Sequence, residues 1–130
     1  MVRFNVFFPI KLPCTILGEN QIIADNVIAE VISYQLVPTG EDHQNQVVTE
    51  KKLQFDGELH INLRFDCIKK RGKLYRVNRR LLFNHFIHIP LETSEDSLGT
   101  LLCMVEDVTY SQIKRKKMQM SVTIIVEYQY

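Results

Sequence analysis

Cysteine is scarce in this 130-residue chain and its spacing is poor for metal work. Cys14, Cys67 and Cys103 form no CxxC pair and have no neighbouring Cys or His at ligand distance, so the sequence supplies no zinc-type set. An odd count cannot close within one chain, which leaves two readings open: three free thiols, or one thiol available for an intermolecular bond. Long apolar runs are missing as well. No stretch approaches the ~18 residues of a membrane span. The N-terminal segment Met1 to Cys14 is interrupted by Asn5, Pro9 and Lys11 before it could act as a signal-peptide core. Net charge is nearly absent too, at +1, which argues against a protein that coats nucleic acid or anionic membrane by bulk charge. Glycine-rich phosphate loops, heptads, low-complexity tracts and capped helical stretches are all lacking.

What is present is an ordinary globular composition, 45% apolar and 24% charged, in a length that suits one domain. Period-two alternation dominates. From Leu53 to Cys67 the odd positions are apolar or Gly and the even ones are Gln54, Asp56, Glu58, His60, Asn62, Arg64 and Asp66, the pattern of a strand with one wet face. At ~3.3 Å per residue such a strand is long enough to need a bend or bulge, and Gly57 is the expected place. Met118, Met120, Val122, Ile124, Val126, Tyr128 and Tyr130 repeat the device at the C-terminus. Their shared face reads as core, although a chain ending inside a strand could also leave an edge for a neighbour's sheet.

Leu74 to Arg80 is expected to form a hairpin with the first long strand, Leu82 to Ile89 a further strand stopped by Pro90, and Leu101 to Tyr110 a strand that turns into the last one. Gln21 to Val37 has helix-compatible spacing but is rich in β-branched residues, which favours strand. The fold class that follows is all-β, an antiparallel β-sandwich or a compact β-barrel of about seven or eight strands.

Chemistry-bearing residues are dispersed. His85 and His88, three apart, do not alternate onto one strand face, and His43 and His60 lie in separate contexts, so no metal set is expected. Glu106 and Asp107 are adjacent on a strand and point to opposite faces, which suits solvation or salt bridges better than paired acid catalysis. With no Ser-His-Asp pattern, neither an enzyme nor a cofactor is expected.

The strongest charged feature is the run Lys69, Lys70, Arg71, Lys73, Arg76, Arg79 and Arg80, interleaved with Tyr75. It can blunt a sheet edge, dock on an acidic patch of another copy, or grip nucleic acid or an acidic polysaccharide. Lys114 to Lys117 adds charge at a second turn, and Glu92, Glu95 and Asp96 form an acidic loop. Opposite patches on a nearly neutral molecule suit head-to-tail packing of identical copies. Cys14, after Pro13 in a weakly patterned segment, is the candidate for an intermolecular disulfide, since Cys67 and Cys103 sit in apolar strand contexts.

The order FNHFIHIP at Phe83 to Pro90, then Met104-Val105-Glu106-Asp107-Val108-Thr109-Tyr110, then the terminal strand MQMSVTIIVEYQY resembles the SPOCS domain of Firmicute sporulation and spore-coat proteins. Upstream, Leu53 to Leu59 is similar to that family's hydrophobic strand entering a glycine. The likeness runs from near Val47 to Tyr130 and is weakest over residues 1–45. It implies one β domain that serves as a non-enzymatic building block or docking module of the spore coat or exosporium. It also implies synthesis in the mother-cell cytoplasm, deposition on the spore surface, self-assembly into a homo-oligomer and contact with other coat proteins.

Overall fold

A computed structural model describes residues 1–12, 22–37, 50–66, 74–90, 93, 94, 96, 98–114 and 116–129. Six strands account for nearly all of them: β1 (Val2–Lys11), β2 (Ile22–Val37), β3 (Glu50–Asp66), β4 (Leu74–Pro90), β5 (Thr100–Lys114) and β6 (Lys117–Gln129). They form two antiparallel three-stranded sheets, ordered β1-β6-β5 and β2-β3-β4, and no ladder joins the sheets into a closed barrel among the described residues.

The alternation read from sequence sets which face of each sheet is dry. Leu53, Phe55, Leu59, Ile61, Leu63 and Phe65 of β3 are buried, as are Met118, Met120, Val122, Ile124 and Val126 of β6. These two central strands carry the deepest side chains, and all belong to one cluster that draws on both sheets. Each such side chain contributes about 1.5–3 kcal/mol when fully withdrawn from water. Phe4 of β1 ties the layers at one seam, stacking on His85 of β4 with centroids 4.4 Å apart and meeting Phe83 and Phe55 at a tilt.

Several expectations are corrected. Leu74 to Arg80 and Leu82 to Ile89 are not two strands but the single strand β4, because nothing between them has turn chemistry and the pairing with β3 runs unbroken from Asp66↔Leu74 to Glu50↔Pro90. The strand does end at Pro90, which lacks a ladder donor. Residues 2–11, too weakly patterned to be read as a strand, form β1 on the edge of its sheet, where Pro9 is tolerated. Ile22–Val37 is strand, as its β-branching indicates. β5 runs past Tyr110 to Lys114 before the turn into β6.

The terminal strand does not offer an open edge. β6 is central, paired with β1 on one side and β5 on the other. Tyr128 packs in the core, and its hydroxyl accepts the Gly99 N–H at 2.8 Å instead of reaching water.

β3 carries no bulge at Gly57 itself. The β3–β4 register passes through it without a shift, and the irregularity falls on β2 between Val31 and Ser33, beside Gly57. Gly57 acts by leaving room: a Cβ there would collide with the Phe83 ring edge and lie 2.8 Å from the Glu30 carbonyl oxygen. Gly57→Ala should therefore destabilise the domain by about 1–3 kcal/mol, the usual cost of overpacking. A fall in the urea midpoint at unchanged m-value is the expected result. An unaltered midpoint would show that the ring and the β2 backbone move aside freely.

Candidate interaction surface

The even-numbered residues of β3 face outward, and the register of β2 and β4 extends them into rows across the sheet. Asn26, Asn62 and Asn78 align, then Ile28, His60 and Arg80, then Glu30, Glu58 and Leu82, then Ser33, Asp56 and Asn84. Leu82 is 80% exposed in the midst of these polar groups. Towards the β3–β4 turn, Arg64 and Arg76 stand directly opposite each other and both are exposed. Like charges in that relation raise the local positive potential and cost stability.

The described members of the basic set predicted from sequence do not share one face of the sheet. Arg76 and Arg80 lie on the outer face, whereas Arg79 has the opposite parity, across from Ile61, and donates from Nη1 to the Asn78 carbonyl at 2.9 Å. Arg80 already has an intramolecular partner, its Nε lying 3.3 Å from Glu58 Oε1. Tyr75 does not interleave with the arginines as a stacking platform. It is half-buried and its ring lies on Phe65, centroids 6.2 Å apart. Lys69, Lys70, Arg71 and Lys73 lie outside the described residues, as do Glu92, Glu95 and Cys14.

Asp96 is exposed in the β4–β5 connection. That connection is anchored near its start by Lys51 Nζ, which donates to the Thr93 carbonyl at 3.0 Å, and by the Thr93 N–H on the Pro90 carbonyl. The arginines and the acidic segment thus belong to opposite ends of β4. From Arg76 to Pro90 the strand covers roughly 45 Å at ~3.3 Å per residue.

On the other sheet, a bulge between Val105 and Asp107 leaves Glu106 and Asp107 both in solvent instead of on opposite faces. Glu106 takes an ion pair with Arg3 at 2.5 Å, and Asp107 accepts the Val108 N–H at 2.9 Å. Neither arrangement pairs the two carboxylates.

Sequence reasoning missed one constellation. Glu30, Glu58 and His60 bring two carboxylates and an imidazole together, with one ligand atom from each lying within 4.8 Å of the others. Glu58 and His60 announce themselves as alternate residues on a wet strand face; Glu30 joins only through the β2–β3 register, which the sequence does not show.

Comparison of the chain with protein-family models, curated proteins and solved structures finds no match. The likeness to the SPOCS domain therefore stands on the quoted residues alone.

Cys103 on β5 is half-buried and free, and burial raises its thiol above the ordinary value. Since only the thiolate attacks, its alkylation should be slow near neutrality and should rise with a midpoint above 9.0. The same shift makes the folded state hold its proton longer than the unfolded chain, so stability falls as pH climbs through that window. Alkylation rates of a Cys14→Ser, Cys67→Ser variant across pH measure this; a midpoint at or below the ordinary value would refute it.

Proposed function

We propose that this chain is a non-enzymatic structural or adaptor protein, a single β-sandwich domain that assembles with copies of itself. Following the SPOCS resemblance, its setting is the coat or exosporium of a bacterial spore, reached from the mother-cell cytoplasm. The observation that carries the assembly reading is the separation of opposite charge along one rigid strand. Arg76 and Arg79 stand at one end of β4, and the other end leads through Pro90 to the acidic segment with Asp96. Complementary ends about 45 Å apart cannot satisfy each other within one copy, whereas the basic end of one copy can meet the acidic end of the next. Such a contact is heterologous and propagates wherever the rotation between copies does not close.

A second reading is favoured by the facing pair Arg64 and Arg76: a β module that binds nucleic acid or an acidic polysaccharide through its basic end. Tyr75, packed on Phe65, contributes no base stacking to it.

Size-exclusion chromatography with light scattering separates the two. Self-assembly should give large particles at low salt that shrink as salt shortens the Debye length from about 10 Å at 0.1 M to about 3 Å at 1 M. Arg76→Glu combined with Arg79→Glu should abolish them without unfolding the domain. Arg80 is left in place because its replacement would strand Glu58. A wild-type protein that remains small and monodisperse at all salt concentrations overturns the assembly reading, and salt-sensitive binding of a polyanion by that species would establish the alternative.

A covalent lock through Cys14 belongs to the same proposal. Air-oxidised protein should run as a dimer on non-reducing gels, and Cys14→Ser should abolish that species while Cys67→Ser and Cys103→Ser leave it. A dimer that persists in Cys14→Ser would assign the bond to another thiol.

A further inference from the structure

The hydrogen-bonded register of β2 and β3 sets Glu30 and Glu58 directly opposite each other on the outer face. Two carboxylates in that position repel, and the sheet gives neither backbone freedom to withdraw. Glu58 is also poorly hydrated, its side chain only 17% exposed, against 59% for Glu30. Arg80 offsets part of the charge at Glu58, and the opposed pair favours a further cation.

His60, two residues along β3 on the same face, turns back towards the pair. Its Nε2 lies 3.1 Å from Glu30 Oε1 and 3.8 Å from Glu58 Oε1. We propose that Glu30, Glu58 and His60 form a binding site for a divalent transition-metal ion, zinc being the model case. Ions of this class sit about 2.0–2.2 Å from imidazole nitrogen and carboxylate oxygen, which places neighbouring ligand atoms roughly 3–3.5 Å apart. The Glu30 distance falls within that range and the Glu58 distance is longer, so closure on an ion needs side-chain adjustment at Glu58.

The mixed nitrogen and oxygen set selects transition metals over magnesium and calcium, which prefer oxygen alone. Arg80 Nε, 3.3 Å from Glu58 Oε1, is placed as an outer donor to a ligating carboxylate, on the same oxygen that faces His60 Nε2. Beside His60 and Arg80 lies an open depression of about 550 Å³, bordered by Asn62 and Asn78; the glutamates do not line it, and Glu30, itself exposed, leaves the ion open to water on its own side. Three protein ligands with an open position describe a site that binds and exchanges metal rather than one that folds the domain. This inference is independent of the assembly reading, because it concerns the middle of the sheet and not its ends.

Titration calorimetry of the full chain with zinc chloride at neutral pH, under reducing conditions, tests it together with thermal unfolding. One saturable site is expected, with a rise of several degrees in the unfolding midpoint at about a hundredfold excess over the dissociation constant. His60→Ala and Glu30→Gln should each weaken that site by about tenfold or more, and His88→Ala should leave it unchanged. Glu30→Gln is the decisive variant: it keeps a hydrogen-bonding oxygen for His60 and removes one of the opposed charges, so its metal-free midpoint should not fall while its zinc affinity does. Magnesium at the same concentration should not compete. Absence of saturable binding up to millimolar zinc, or a site indifferent to both His60→Ala and Glu30→Gln, overturns the proposal.

Discussion

Two three-stranded sheets, each apolar on one face, cannot be stable apart; each can hide that face only against the other. Every other feature follows from this mutual burial. It makes β3 and β6 central, because the strand with neighbours on both sides is the one whose inward residues are most completely covered. It also fixes register: slipping β3 by one residue would put Phe55 in water and Gln54 or Asp56 in the core. The outer faces inherit their arrangement from that choice.

The layers meet differently at their two seams. β5 lies beside β2 along one edge of the structure. At the other, β1 and β4 meet mainly through aromatic side chains, with Phe4 lying over His85 and leaning on Phe83, and Phe83 in turn crossing the space that Gly57 leaves free. A single missing Cβ on β3 thereby admits the ring that supports β1, an edge strand only ten residues long. The β2 irregularity beside Gly57 belongs to the same accommodation, since the Glu30 carbonyl approaches Gly57 from that side.

This explains which parts of the structure were legible in the sequence. The faces of β3 and β6 could be read residue by residue, because burial on one side and solvent on the other impose strict alternation. β4 was harder: Leu81 and Leu82 break the alternation, and Leu82 remains exposed on the outer face, so one strand looked like two. β1 was obscured by Phe7 and Pro9, two residues that face outward without being charged. Gly57 reads in the sequence as the place for a bend or bulge, and a bulge does fall beside it on β2, but the room it leaves for Phe83 shows only in three dimensions. Tyr75 looked like part of a basic surface because its neighbours in sequence are basic, whereas its neighbours in space are aromatic.

Surface chemistry is the least legible level because it is written across strands. Arg64 and Arg76 lie twelve positions apart, and Glu30 and Glu58 twenty-eight, yet each pair is brought face to face by a register that the buried side chains alone determine. Like charges placed opposite one another cost stability, and a core that enforces two such rows on one face leaves that face electrostatically unsatisfied in two senses at once. The arginine row carries excess positive charge and the glutamate row excess negative charge. His60 and Arg80, opposite each other in the next row, attend the glutamates, His60 Nε2 at Glu30 and Arg80 Nε at Glu58. Arg64 and Arg76 face each other beyond the asparagine row, where the sheet runs out towards the end of β3, and a partner from outside the chain would find like charge to neutralise there.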